Sequence, residues 1–163
     1  MQFAGLDFEV CKRPNIHRLD NGNEIISTNS FYTYRPDTTA ILGDRLGKDY
    51  EVVQNTDAFS FFDAIVDGDG IQYETAGALG KGEKIFITAK LPGYIKVGND
   101  DMIEKYLFLT TSHDGFGSIM AAFTPIRIVC NNTLNAALKN CSNAVKIRHT
   151  ANAKERLEEA HKV

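Results

Sequence analysis

The run "YLFLTTSHDGFGSIMAAFTPIRIVC", residues 106–130, constrains the fold of this chain more than any other stretch. Two apolar segments flank a short polar interruption that carries glycines. Each segment is too continuously apolar to be a strand with one wet face. A hairpin whose arms are covered on both sides fits the pattern, and such arms belong in the middle of a sheet. The expectation is a central pair, Tyr106–Thr111 and Ile119–Cys130.

Hairpin signals recur on either side. Asn21-Gly22 is the strongest, because both residues tolerate positive φ. Ahead of it, Phe8 and Val10 alternate with charged neighbours as in a half-buried strand. After it, a β-branched and aromatic stretch is broken at Pro36, giving two strands with a turn at Arg35–Asp37. "YEVVQN" reads as a short strand and Asn55 as a helix cap. Ala58, Phe59, Phe62, Ile65 and Val66 then recur at helical spacing, and "DGDG" ends that helix. "IQYETAGALGKGEKIFITAKLP" reads as a hairpin with period-two faces. A helix from Asn132, a strand "AVKIRHT" and a charged helix from about Ala151 complete the chain. This order gives an α+β fold in a single domain over residues 1–163, a mainly antiparallel sheet of hairpins with about three packed helices.

Composition excludes several classes. At 43% hydrophobic and 24% charged, the chain can build a core and is not of disordered type. No apolar run approaches the ~20 residues that span a bilayer, and the start lacks a signal pattern. Three cysteines without a CxxC pair favour reduced thiols over a disulfide framework, hence a cytoplasmic protein with no membrane association. The net charge of −3 is uneven: residues 126–163 hold seven Lys/Arg and three Glu, a balance of +4 on an otherwise acidic body. A basic C-terminal part could face nucleic acid, although an ordinary solvated surface has the same composition.

Cys130 precedes a helix, where peptide dipoles favour a thiolate; a nucleophile also needs a base such as His113 or His149. A small side chain buried at a strand end explains Cys130 equally simply, and this is the favoured expectation, with Asn131, Asn132 or Thr133 capping the helix. His113 and Asp114 are neighbours in a turn sequence, yet a rigid hairpin can present such a tip, with Phe116, to a ligand. "GALGKGEK" lacks P-loop or dinucleotide spacing and joins two strands, so it reads as a connection. His17, His113, His149, His161 and the cysteines show no ligand spacing, so neither a metal nor another cofactor is expected. The remaining constellation is Arg127, Lys146 and Arg148 with Asn131, Asn132 and His149. If these strands neighbour each other, cations and a helix N-terminus could meet phosphate oxygens.

Four stretches carry a resemblance: "YEVVQNTDAFSFFDAI", "YETAGALGKGEKIFITAKLP", "YLFLTTSHDGFGSIMAAFTPIRIVCNNTLNAAL" and "IRHTANAKERLEEA". They look like a phage/plasmid-like family catalogued as a domain of unknown function, over about Phe8 to Glu159. The block from His113 to Leu134 and the triplet Arg148-His149-Thr150 are its specific parts. Family members usually extend further at both ends, which makes this chain a compact member or a core fragment. The resemblance transfers no catalytic residue. It implies residence on mobile elements of bacteria and work around DNA metabolism in the host cell.

The function expected on these grounds is a non-enzymatic, DNA-associated module that binds single-stranded DNA or assists recombination. The rivals are a Cys/His-dependent hydrolase or transferase and a protein-binding inhibitor of a host defence factor. An oligomer is compatible with each.

Overall fold

The computed structural model of the chain describes residues 5–66, 72–91, 106–115 and 119–147. The strands β1 (Cys11–Arg18), β2 (Glu24–Tyr34) and β3 (Ile41–Leu46) form an antiparallel sheet in the order β1-β2-β3. Helix α1 (Asn55–Val66) follows. A second antiparallel sheet holds β4 (Gln72–Leu79), β5 (Lys84–Lys90), β6 (Tyr106–Ser112), β7 (Ile119–Thr124) and β8 (Ser142–Ile147), neighbours in chain order. Helix α2 (Asn131–Lys139) lies between β7 and β8. The class is α+β, mainly sheet. Two helices appear among the described residues where about three were expected; the one expected from Ala151 lies outside those residues, as does the "DGDG" end of α1. No helix among the described residues is long and apolar enough to cross a membrane.

The larger sheet has an apolar layer on each face, which explains its near-continuous apolar strands. Ile85 and Ile87 on β5, Leu107 and Leu109 on β6 and Ile119 and Ala121 on β7 pack with Phe59, Phe61 and Phe62 of α1. Leu6, Phe8 and Val10 join that cluster. The alternate residues Phe86, Phe108, Met120 and Ala122 face the other way, onto Ile128 and onto Leu134 and Ala137 of α2. With period two in the pleat, both sets are apolar only because both faces are covered. β6 is the middle strand. Fully buried Phe62 and Phe108 each contribute about 1.5–3 kcal/mol by leaving water.

Three expectations are corrected. The strand ending at Cys130 stops at Thr124, because Pro125 has no N–H for the ladder. Thr124 Oγ1 accepts from Ile126 N at 3.2 Å and donates to Asn140 O at 3.1 Å, which turns the chain out of the sheet. The next residues cross the sheet face, and Ile128 O accepts from Thr75 Oγ1 of β4 at 2.7 Å. "YEVVQN" forms no strand. The Gln54 side-chain amide takes the place of a ladder partner: its Oε1 accepts from Val10 N at 2.9 Å and its Nε2 donates to Val10 O at 2.8 Å. Asn55 is not the cap of α1 either. Gln54 O accepts the first helical bond, from Ala58 N at 3.1 Å, so Asn55 is the first helical residue and its side chain is free to turn inward. Phe8 and Val10 do alternate in burial with Asp7 and Glu9, although their segment precedes β1 without ladder bonds.

The two sheets meet at the turn after β6. Thr33 Oγ1 of β2 donates to His113 O at 2.5 Å, and His113 N donates to Glu83 O at 2.7 Å. β3 approaches the same turn so closely that a Cβ on Gly43 would lie 2.8 Å from the Asp114 backbone. Arg35 adds a second link: it stacks 3.7 Å over the Phe8 ring and donates from its Nη1 to Lys81 O at 2.9 Å. Gly43→Ala is therefore expected to push the sheets apart and cost about 1–3 kcal/mol, as overpacking does. A urea titration measures it; an unchanged midpoint would contradict the close contact.

Candidate nucleic-acid interface

The structure separates Arg127 from Lys146, two of the residues expected to form one basic patch. Arg127 lies on the loop before α2, 52% exposed, and its Nε donates to Glu74 Oε1 of β4 at 2.9 Å. Asn131 and Asn132 are exposed in the first turn of α2. These three form one edge. Lys146 is exposed on β8 and pairs with Met120, four residues before the end of β7. Arg127 is bonded across the sheet to Glu74 of β4, the edge strand opposite β8, so four strand spacings of ~4.8 Å lie between the two strands. Arg148, His149 and Phe116 lie outside the described residues.

His113 is not at an exposed tip. It is fully buried, beside Asn55 and edge-on to Phe8 at 6.2 Å. Asn55 Nδ2 donates to Leu6 O at 2.9 Å, so Asn55 Oδ1 is the acceptor that faces His113 Nε2 at 2.6 Å. That pairing places a proton on Nε2. Tyr50 closes the cluster by donating to Ser112 O at 3.2 Å, and burial pushes its phenol well above the ordinary range. His113 thus holds the sheets together from the inside, and a nucleic-acid contact through its ring is not available on this surface.

Cys130 corrects a further expectation: it is exposed, not buried. The loop leaves the core once Ile128 is seated, and Cys130 becomes the N-cap residue of α2 in extended conformation. Thr133 supplies the cap from inside the helix, its Oγ1 accepting from Cys130 N at 2.9 Å and Val129 N at 2.8 Å. Its hydroxyl also lies 3.5 Å from Cys130 Sγ, and this hydrogen bond, helped by the Thr133 amide, lowers the thiol pKa. No base accompanies it from His113, whose ring packs with α1 on the opposite face of the sheet. Among the described residues no group of three or more His, Cys, Asp or Glu is arranged to hold a metal ion.

An aromatic surface that sequence reasoning passed over lies on the smaller sheet. Thr33 points inward to His113, so its neighbours Tyr32 and Tyr34 point outward. Arg13 is the cross-strand partner of Tyr32, and Cys11 and Ile41 are partners of Tyr34. Directly opposed residues share a face. The two tyrosine rings are 5.7 Å apart and tilted by 40°. Both are partly exposed, and Arg13 and Ile41 beside them are exposed. The signal was the alternation in "FYTYR", read only as a strand.

Residues 44–163 match a family described as a domain of unknown function, DUF932. The chain belongs to this family. No curated protein and no solved structure matches the chain. The DUF932 span is narrower than the expected Phe8–Glu159: it begins within β3. Arg127, Asn131, Asn132 and Lys146 fall inside the DUF932 span, whereas Arg13, Tyr32 and Tyr34 precede it. The Cys130 environment yields a direct expectation. Its thiolate should persist to lower pH than an ordinary cysteine's, so a disulfide reagent should still label Cys130 as pH falls below the usual thiol range. Thr133→Ser should keep that profile, and Thr133→Val should shift it upward. Identical labelling profiles for all three proteins would contradict the assignment.

Proposed function

We propose that the protein is a non-enzymatic, DNA-associated module that binds single-stranded DNA and serves recombination or a related step of DNA metabolism. The observation that carries this reading is the partly exposed Tyr32–Tyr34 pair with Arg13 beside it. Sequence-tolerant binding of single strands combines aromatic rings, on which bases stack, with cations that follow the backbone. Two rings one pleat apart on a sheet held rigid by its neighbour supply the first element. Arg13 supplies the second locally.

Arg127, Asn131 and Asn132 support the same reading from the edge of α2. The guanidinium of Arg127 is held by Glu74 in a surface pair worth about 0–1 kcal/mol, so exchange of that carboxylate for a phosphate is inexpensive. The asparagines add neutral donors at a helix N-terminus, where peptide dipoles favour an anion. None of these groups reads a base edge in a defined register, so the binding is expected to be indifferent to sequence.

A fluorescence titration with a labelled single-stranded oligonucleotide, at low and at physiological salt, tests the proposal. Tyr32→Ala and Tyr34→Ala should each cost roughly 1–3 kcal/mol if each ring carries a base. Arg127→Ala should weaken binding uniformly and flatten the log–log salt slope by ~0.7, the effect of one phosphate contact on a single strand. No binding at low salt by folded protein would end this reading and favour the protein-binding inhibitor.

A further inference from the structure

Among the described residues, the far half of the β1–β2 hairpin contributes no side chain to either buried cluster. β3 pairs with β2 only from Phe31 to Tyr34, so Glu24–Ser30 has β1 alone as a ladder partner among the described residues. The turn is tight: Gly22 has φ +87°, Gly22 N donates to Leu19 O at 2.9 Å and Leu19 N to Asn23 O at 2.8 Å. On this arm Ile16 is 56% exposed, Ile25 52%, Ile26 62% and Leu19 41%. A two-stranded ribbon in water is marginal by itself, and four large apolar side chains left wet add no stability. Such a concentration marks an interaction surface.

We infer that this arm pairs with the same arm of a second copy. Ile16 and Ile26 are direct cross-strand partners and share one face, and the next pair on that face is Arg18 and Glu24. The two charges form an ion pair at 3.6 Å, so the face is apolar with zero net charge. A nucleic acid finds no net cation and no ring there. A second copy turned by a two-fold axis finds its own complement. An isologous contact brings residue i onto j and j onto i. With i and j of opposite charge and flanked by isoleucines, apolar meets apolar, and each Arg18 meets a carboxylate of the other copy. Ile25 lies on the opposite face with His17 and stays outside this contact. The surface is small beside the ~800 Å² per partner of standard complexes, so the dimer is reversible and concentration-dependent.

Sedimentation equilibrium of the full chain over a wide concentration range tests the inference. The expected result is a monomer–dimer equilibrium whose dissociation constant rises at least about tenfold in the double variant Ile16→Thr/Ile26→Thr, the loss typical of a central apolar anchor. Ile25→Thr should leave it within about twofold. Charge variants give a readout that stability alone does not move. Arg18→Glu and Glu24→Arg should each self-associate less than the parent, while a mixture of the two should form heterodimers. A parent protein that stays monomeric throughout, or a mixture no more associated than its components, overturns the inference. The assay contains no oligonucleotide, so its outcome is independent of the DNA-binding proposal.

Discussion

The turn after β6 enters the seam between two sheets, and the surroundings are arranged to receive it. Its carbonyl takes the hydroxyl of Thr33 from one sheet, its amide takes Glu83 O from the other, and its ring is held by Asn55 at the start of α1. Asn55 in turn holds the N-terminal segment through Leu6 O. Four separate parts of the chain therefore converge on one residue, His113. Buried polar groups cost ~1–3 kcal/mol when a partner is removed, so this set of buried hydrogen bonds fixes one arrangement of the sheets more firmly than apolar packing does. Gly43 follows from the same constraint. Two backbones meet at van der Waals distance there, and no side chain fits between them.

Because the seam grips only the near end of the smaller sheet, the two ends of β2 live in different physical worlds. Thr33 is fully buried, and Lys12, opposite it on β1, bridges to the Tyr50 and Lys48 carbonyls. Beyond a bulge around Asn15 and Ser30, β2 has β1 alone as a ladder partner among the described residues. Outward tyrosines sit over the gripped end and exposed isoleucines over the free end. The proposed ligand surface thus lies on the part of the sheet bonded to its neighbour, and the proposed dimer contact on the part beyond it.

The centre of the larger sheet was legible because β6 and β7 are apolar at nearly every position, a pattern that double coverage explains. The Asn21-Gly22 hairpin, the turn at Arg35–Asp37 and α1 were legible from turn chemistry and helical spacing. What escaped were substitutions of side chain for backbone. Gln54 completes a ladder with its amide, so "YEVVQN" has the composition of a strand without being one. Thr133 was among the caps expected, but it acts backwards from within the helix as the partner of Cys130 in a capping box, which keeps Cys130 at the surface. His113 shows the same limit from the other side. A turn sequence rich in Asp and Gly signals solvent, and nothing local reveals that another sheet covers it. Long-range docking leaves its trace in distant residues, here Thr33, Gly43 and Asn55, which carry no common motif.

Net charge says little about where an anionic strand would bind such a body. At 0.15 M ionic strength fields fade over ~8 Å, so a phosphate responds to the groups within one or two side-chain lengths. The acidic excess of this chain lies outside residues 126–163, and several carboxylates are already engaged by cations: Glu74 by Arg127, Asp37 by Arg35, Glu24 by Arg18. Asp37 is held so firmly by Arg35 that its carboxyl titrates below the usual range. Each pairing removes a negative charge from the local field but also occupies a cation. Arg13 is different: its Nη1 donates only to the neutral Lys12 carbonyl, at 2.9 Å, among the bonds the structure describes for it. A cation that no carboxylate pairs with among the described residues, directly across the strand from an outward tyrosine, is a place on the smaller sheet where attraction to a phosphate and stacking on a base coincide. The proposed binding rests on that coincidence more than on the balance of charge over the whole chain.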